Sequence, residues 1–118
     1  KTAYLSPGFS PNHPLVRQLD AAQINKMNDI DLFCQARKKN IVAVTGSNGK
    51  STLIKLIETI GIALGHTVAC AGNVGRPVLD LLQQSTPDYT LLELSSYQLH
   101  TLQSAQFEIG CLLNLIFY

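Results

Sequence analysis

Ile41-Val42-Ala43-Val44-Thr45-Gly46-Ser47-Asn48-Gly49-Lys50-Ser51-Thr52 is the stretch from which the rest of the chain can be read. Its first four residues are β-branched at three positions, as in a strand buried on both faces. Gly46 to Gly49 form a loop, and Ser51 to Leu64 read as a helix with Leu53, Ile54, Leu56, Ile57, Ile60 and Leu64 spaced mostly at three or four. Unpaired backbone N–H groups at a helix start carry the positive end of the helix dipole, and glycines let that backbone curl around an anion. Gly46, Ser47, Asn48, Gly49, Lys50, Ser51 and Thr52 therefore read as a nucleotide-phosphate loop. Lys50 supplies a mobile charge for the β- and γ-phosphates, and the Ser51 hydroxyl a ligand for Mg²⁺. The general pattern G-x-x-x-x-G-K-[ST] asks for glycine at position 44, where Val44 stands; Gly46 supplies the earlier glycine from closer in.

Outward from the loop, Gly65 stops the helix in the left-handed position that helix ends favour. Thr67 to Ala71 reads as a second strand, and Pro77 opens another helix running to about Gln84. Tyr89 to Leu94 is a third strand and Phe107 to Leu115 a fourth. Strands alternating with helices through short connections predict right-handed βαβ units and a parallel sheet. Upstream, Tyr4-Leu5 ends a strand at the turn Ser6-Pro7-Gly8, and Leu15 to Leu19 begins a short helix. Asn28 caps a helix over Asp29 to Lys38, with Ile30, Phe33 and Cys34 on one face. Arg37-Lys38-Lys39-Asn40 reads as a solvated connector and domain boundary. Glu93 is the only acid between Asp88 and Glu108 and sits near the carboxyl end of an apolar strand, where ligands of open parallel sheets gather. It is the preferred second ligand for Mg²⁺.

A net charge of +1 gives no electrostatic footprint for nucleic acid or an anionic membrane. No apolar run approaches the ~18 to 20 residues that span a bilayer. The 46% hydrophobic and 14% charged content argues against long disordered tracts. Cys34, Cys70 and Cys111 are far apart, odd in number and set among apolar neighbours, as reduced packing residues of a cytoplasmic protein would be. His13, His66 and His100 are isolated and lack metal spacing. The chain does not open on Met, so a start inside a longer protein is the expectation.

Thr45 to Thr52, then Ala71-Gly72-Asn73-Val74-Gly75, then Leu92-Glu93-Leu94-Ser95-Ser96-Tyr97-Gln98-Leu99 together resemble the Mur ligases, ATP-dependent enzymes that build the peptide stem of bacterial peptidoglycan. The Glu-Leu-Ser-Ser-aromatic-Gln-Leu stretch is most similar to the branch that joins D-glutamate to UDP-N-acetylmuramoyl-L-alanine. The likeness runs along nearly the whole chain. It implies an α/β fold: a partial parallel sheet of a P-loop ATPase domain with helices on both faces, preceded by the tail of a Rossmann-like domain. Residues 1–39 would be the C-terminal tail of the uridine-nucleotide-binding domain plus linker, and residues 40–118 the first half of the central ATPase domain. By the same resemblance Lys50 and the loop amides hold ATP, and Ser51 and Glu93 hold Mg²⁺. Lys50 and Glu93 thereby serve catalysis. Asn73, Ser95 and Gln98 match positions that contact the UDP-muramoyl-alanine substrate, and Ser6 and Gly8 lie near its nucleotide end. The whole protein would be a cytoplasmic monomer.

After Leu113-Asn114 the family continues with a Thr, an acidic residue and a His, where this chain has Leu115-Ile116-Phe117-Tyr118. The family's carbamylated lysine, adenine contacts and D-glutamate domain have no counterpart either. The resemblance thus implies a truncated or frame-disrupted product, or a fragment, with weak or absent catalysis by itself. Two other readings stay open: a kinase-like P-loop enzyme, and a non-catalytic remnant. A GTPase would carry Asn-Lys-x-Asp after the loop; the nearest match, Asn25-Lys26-Met27-Asn28, precedes it and lacks the Asp.

Overall fold

The computed structural model describes residues 1–6, 8–10 and 12–116; Pro7 of the expected turn, Pro11, and the terminal Phe117 and Tyr118 lie outside the described residues. In chain order the elements are β1 (Thr2–Tyr4), α1 (Pro14–Ala21), β2 (Asn25–Met27), α2 (Asp29–Ala36), β3 (Ile41–Thr45), α3 (Lys50–Ala63), β4 (Val68–Gly72), a 3₁₀ helix (Val78–Gln83), β5 (Tyr89–Glu93), α4 (Ser96–Thr101) and β6 (Ile109–Leu112). A four-stranded sheet has the order β4-β5-β3-β6 with every pair parallel, and β1 and β2 form a separate parallel pair.

Strand β3 alternates between two cores. Ile41 and Ala43 join Ile30, Phe33 and Cys34 of α2, with Val78, Leu81 and Leu92, in one apolar cluster. Val42 and Val44 point the other way, to Ile54 and Leu91, with Leu53 and Ile57 of α3 against them. The sheet therefore has helices on both faces, as a doubly buried parallel sheet requires. Full burial of a side chain such as Phe33 or Ile30 contributes about 1.5–3 kcal/mol. Only part of the expected apolar face of α3 meets the sheet: Leu56, Ile60 and Leu64 are exposed.

Helix α2 begins with a capping box, in which the Asn28 side chain accepts from Asp31 N–H at 2.9 Å and the Asp31 carboxylate accepts from Asn28 N–H at 3.3 Å. Asp31 is fully buried and also accepts from the N–H groups of Gln103, Ser104 and Ala105, tying α2 to the segment before β6. Arg37 and Asn40 are not merely solvated connectors. Arg37 donates to the carbonyls of Leu81 and Gln84, and Asn40 to the Asp88 carbonyl and, through its N–H, to Glu108.

The helix after Pro77 is 3₁₀ rather than α. In that geometry residues three apart eclipse, so Val78 and Leu81 both face the core. Two elements were not expected from the sequence, β2 and α4, and β6 is shorter than Phe107–Leu115.

The connections fix where a ligand can sit. From β3 the chain crosses through α3 to β4, two places away; from β5 it returns past β3 to β6 on the other side. Leu102, Ala105 and Phe107 of that second crossover pack with the α2 cluster, on the face opposite α3. Strand β3 therefore lies at the switch point, and its carboxyl end opens into the crevice between diverging connections.

Candidate phosphate-binding site

Four strands deliver their carboxyl ends to one edge: Val44 is in register with Glu93, Gly72 with Glu93, and Thr45 with Leu112. The loop after β3 is shaped by Gly46 at φ 146° and Gly49 at φ 84°. Gly49 is the left-handed N-cap of α3. The first N–H to find a helical partner is that of Leu53, bonded to the Gly49 carbonyl at 3.0 Å, so those of Lys50, Ser51 and Thr52 have no partner within the helix. Val44, where the general phosphate-loop pattern has glycine, is a fully buried strand residue and not part of the loop.

Lys50 folds back so that Nζ donates to the Gly46 carbonyl at 2.8 Å, holding its ammonium across the loop. The Ser51 hydroxyl donates to Glu93 Oε2 at 2.7 Å, although 42 residues separate them. Glu93 is only 6% exposed, and among the described residues no hydrogen bond or ion pair reaches its Oε1. A hydroxyl and a half-engaged carboxylate form the hard oxygen set that suits Mg²⁺, which takes one or two protein oxygens and fills its remaining positions with phosphate and water. Ser51 and Glu93 thus fit the metal the sequence implies.

Asn73 joins this edge through its backbone, its N–H donating to the Glu93 carbonyl at 2.7 Å. Ser95 and Gln98 follow Glu93 closely and bond to each other. Ser95 Oγ accepts from Gln98 N–H at 3.2 Å and Gln98 Oε1 accepts from Ser95 N–H at 2.9 Å, a capping box that starts α4. The two residues therefore build the helix that follows the carboxylate strand, and Gln98 is buried.

Ser6 and Gly8 are elsewhere. Gly8 N–H donates to Ser6 Oγ at 3.4 Å, after β1. Ser6 lines a cavity of ≈ 120 Å³ with Phe9, Lys26, Asn28, His100 and Thr101. That cavity is separate from the phosphate loop but meets the far end of α4. The loop residues, Glu93 and Asn73 are brought together, whereas Ser6 lines this second hollow, with Gly8 bonded to Ser6.

Sequence reasoning missed Asn114. Its side-chain Oδ1 accepts from the N–H groups of Ser47 and Asn48, both at 3.0 Å, and its Nδ2 donates to the Asn48 carbonyl at 3.0 Å. Nothing local marks it, since its partners lie 66 and 67 residues earlier. Among the described residues no helix is long and apolar enough to cross a membrane.

Residues 44–116 match the family model described as the Mur ligase middle domain. The chain is 44% identical over 114 residues to the UDP-N-acetylmuramoylalanine--D-glutamate ligase of Saccharophagus degradans, covering 97% of this chain and 25% of that protein. Proteins of the same name from Idiomarina loihiensis and Pasteurella multocida are 45% and 43% identical over 111 residues. Those alignments cover 93% and 94% of this chain, and 24% and 25% of the relatives. The chain spans about a quarter of the length of the curated relatives it matches.

Proposed function

The chain belongs to the Mur ligase family, and from that premise we propose that it is the ATP-binding part of a ligase that joins D-glutamate to UDP-N-acetylmuramoyl-L-alanine in peptidoglycan precursor synthesis. Residues 1–39 supply the tail of the uridine-nucleotide domain with its linker, whose α2 packs on the sheet, and residues 40–118 the first half of the ATPase domain. The observation that carries the reading is the Ser51–Glu93 hydrogen bond beside Lys50 and the unpaired start of α3.

In this reading the helix-start N–H groups and the Lys50 ammonium bind the triphosphate tail and offset its charge. The γ-phosphoryl group passes to the L-alanyl carboxylate, giving an acyl phosphate and ADP. The amine of D-glutamate then attacks the acyl carbon, forming the amide and releasing phosphate. Such transfers depend on positioning and charge neutralisation, which is what this edge offers. Magnesium held by Ser51 and Glu93 would supply further neutralisation between triphosphate and carboxylate. Asn73, Ser95 and Gln98 would face the muramoyl-alanine portion, and the cavity at Ser6, with Gly8 near it, the uridine end. The 118 residues themselves carry the phosphate loop and its carboxylate, so for them the reading predicts nucleotide binding without ligation.

The test is the thermal midpoint of the chain with MgATP, with MgGTP and with ATP plus EDTA. Nucleotide at a hundredfold excess over its Kd stabilises by about 2.7 kcal/mol. MgATP is expected to raise the midpoint, EDTA to reduce the rise, and MgGTP, which carries the same triphosphate, to raise it similarly. A midpoint unmoved by ATP with or without magnesium would overturn the reading.

A further inference from the structure

We propose that Asn114 is a positioning residue that holds the phosphate loop in its anion-receiving shape, an inference that rests on the function proposed above. Three contacts to one side chain carry it. Oδ1 takes the N–H groups of Ser47 and Asn48 together, and Nδ2 returns a bond to the Asn48 carbonyl. One amide group thereby fixes two consecutive peptides in a loop that has no regular secondary structure of its own. A planar amide with an acceptor and a donor is what this task needs; a hydroxyl is too short to span both peptides, and a carboxylate lacks the donor.

Backbone packing points the same way independently. A Cβ on Gly46 would lie 3.1 Å from Leu113 Cβ and 3.3 Å from Asn114 N, so the loop and the segment after β6 approach so closely that a side chain there would push one of them by a few tenths of an ångström. Leu113 N–H donates to the Thr45 carbonyl at 3.0 Å, and Ile116 N–H to Ser47 Oγ at 3.2 Å, so the segment runs alongside the loop.

The consequence is a division of the loop's donors. Asn114 occupies the N–H groups of Ser47 and Asn48, while those of Lys50, Ser51 and Thr52 have no helical partner and stay directed outward from the start of α3. The Ser47 N–H also reaches the Asn114 backbone carbonyl at 3.3 Å, which any residue at 114 keeps. Without the side-chain clasp it is therefore Asn48 above all that would hydrogen-bond to water in many arrangements, and the nucleotide would have to order that part of the loop on binding. The effect belongs to affinity through preorganisation and not to direct contact with the phosphates.

Two readouts on the 118-residue chain test this: amide hydrogen exchange at Ser47 and Asn48 by NMR without nucleotide, and the Kd for MgATP. Asn114→Ala is expected to speed exchange at Asn48, with a smaller change at Ser47, which keeps the backbone carbonyl of residue 114, and to weaken MgATP about tenfold. Amides in the middle of α3 should be unchanged. Asn114→Asp keeps both acceptors, so protection at 47 and 48 should persist while affinity falls through the added negative charge. Lys50→Ala should weaken MgATP with exchange at 47 and 48 unaltered. Unchanged exchange or unchanged affinity in Asn114→Ala, in a chain where Lys50→Ala does weaken binding, would overturn the positioning role alone. A wild-type chain that binds no MgATP would overturn the functional reading and this role with it.

Discussion

Adding one methyl group at Gly72 should damage this protein far more than the same change at three other glycines. Gly72 ends β4 at φ 126°, and a Cβ built on it would lie 2.2 Å from the Glu93 carbonyl oxygen and 3.0 Å from Glu93 C and N. The obstacle is backbone, which cannot rotate away. Gly65 and Gly75 have φ of 86° and 90° but open space around a Cβ, and Gly110 has open space without a positive φ. The series separates two costs. Gly110→Ala should leave stability unchanged or raise it by up to about 1 kcal/mol, through lower chain entropy in the unfolded state. Gly65→Ala and Gly75→Ala carry only the conformational penalty, about 1–2 kcal/mol. Gly72→Ala adds a steric displacement of about 1–3 kcal/mol, for a total of about 2–5 kcal/mol. That is a large share of the ~5–15 kcal/mol that stabilises a domain. The assay is urea unfolding followed by far-UV circular dichroism, read as midpoint at constant m-value. The displaced atom is Glu93's own carbonyl, so MgATP binding should fall in any Gly72→Ala protein that still folds. Equal midpoints for Gly65→Ala and Gly72→Ala would refute the steric argument.

Removing the buried carboxylate in Asp31→Ala would take the shared charged acceptor from the N–H groups of Gln103, Ser104 and Ala105, and urea unfolding should show a loss of about 3 kcal/mol or more. Glu93→Gln keeps a partner for the Ser51 hydroxyl but removes the charge, so the magnesium dependence of nucleotide binding, measured by calorimetry with and without EDTA, should shrink markedly. Burial pushes the thiols of Cys34 and Cys70 up from 9.0 to about 11, which leaves about a hundredth of the thiolate at a given pH, so iodoacetamide should label both far more slowly than a free thiol. The Thr67 N–H and hydroxyl hold the Asp88 carboxyl below its ordinary 3.8. A depressed folded value means this contribution is complete above 3.8 and lost as pH falls through the lower folded value, so acid unfolding of Asp88→Ala should lack that component.

The strand-loop-helix core was legible because its signals are local. Ile41 to Val44 alternate between two apolar clusters, and Gly46 and Gly49 take the positive φ values their type permits. Asn28 capped α2 where an Asx residue before an acidic first turn should. What stayed hidden depends on partners distant in sequence. Strand β2 is three residues with no apolar alternation and exists through its pairing with β1. Helix α4 did carry a local sign, the Ser95-x-x-Gln98 capping box, but those residues read first as ligand contacts by resemblance. The 3₁₀ form of residues 78–83 follows from Val78 and Leu81 eclipsing onto the core, which periodicity over six residues cannot distinguish from an α turn. Asn114 had no sign at all, because its role arises only when β6 pairs beside β3.

Isothermal titration of the 118-residue chain with MgATP, with Lys50→Ala in parallel, bears most directly on the whole account. Loss of one charge-assisted phosphate contact is worth ~1.5 to 3 kcal/mol. The wild-type chain should therefore bind saturably with one site, and Lys50→Ala should bind at least about tenfold more weakly at an unchanged unfolding midpoint. Superimposable isotherms for the two proteins would contradict the assignment of residues 46–52 as the seat of a triphosphate.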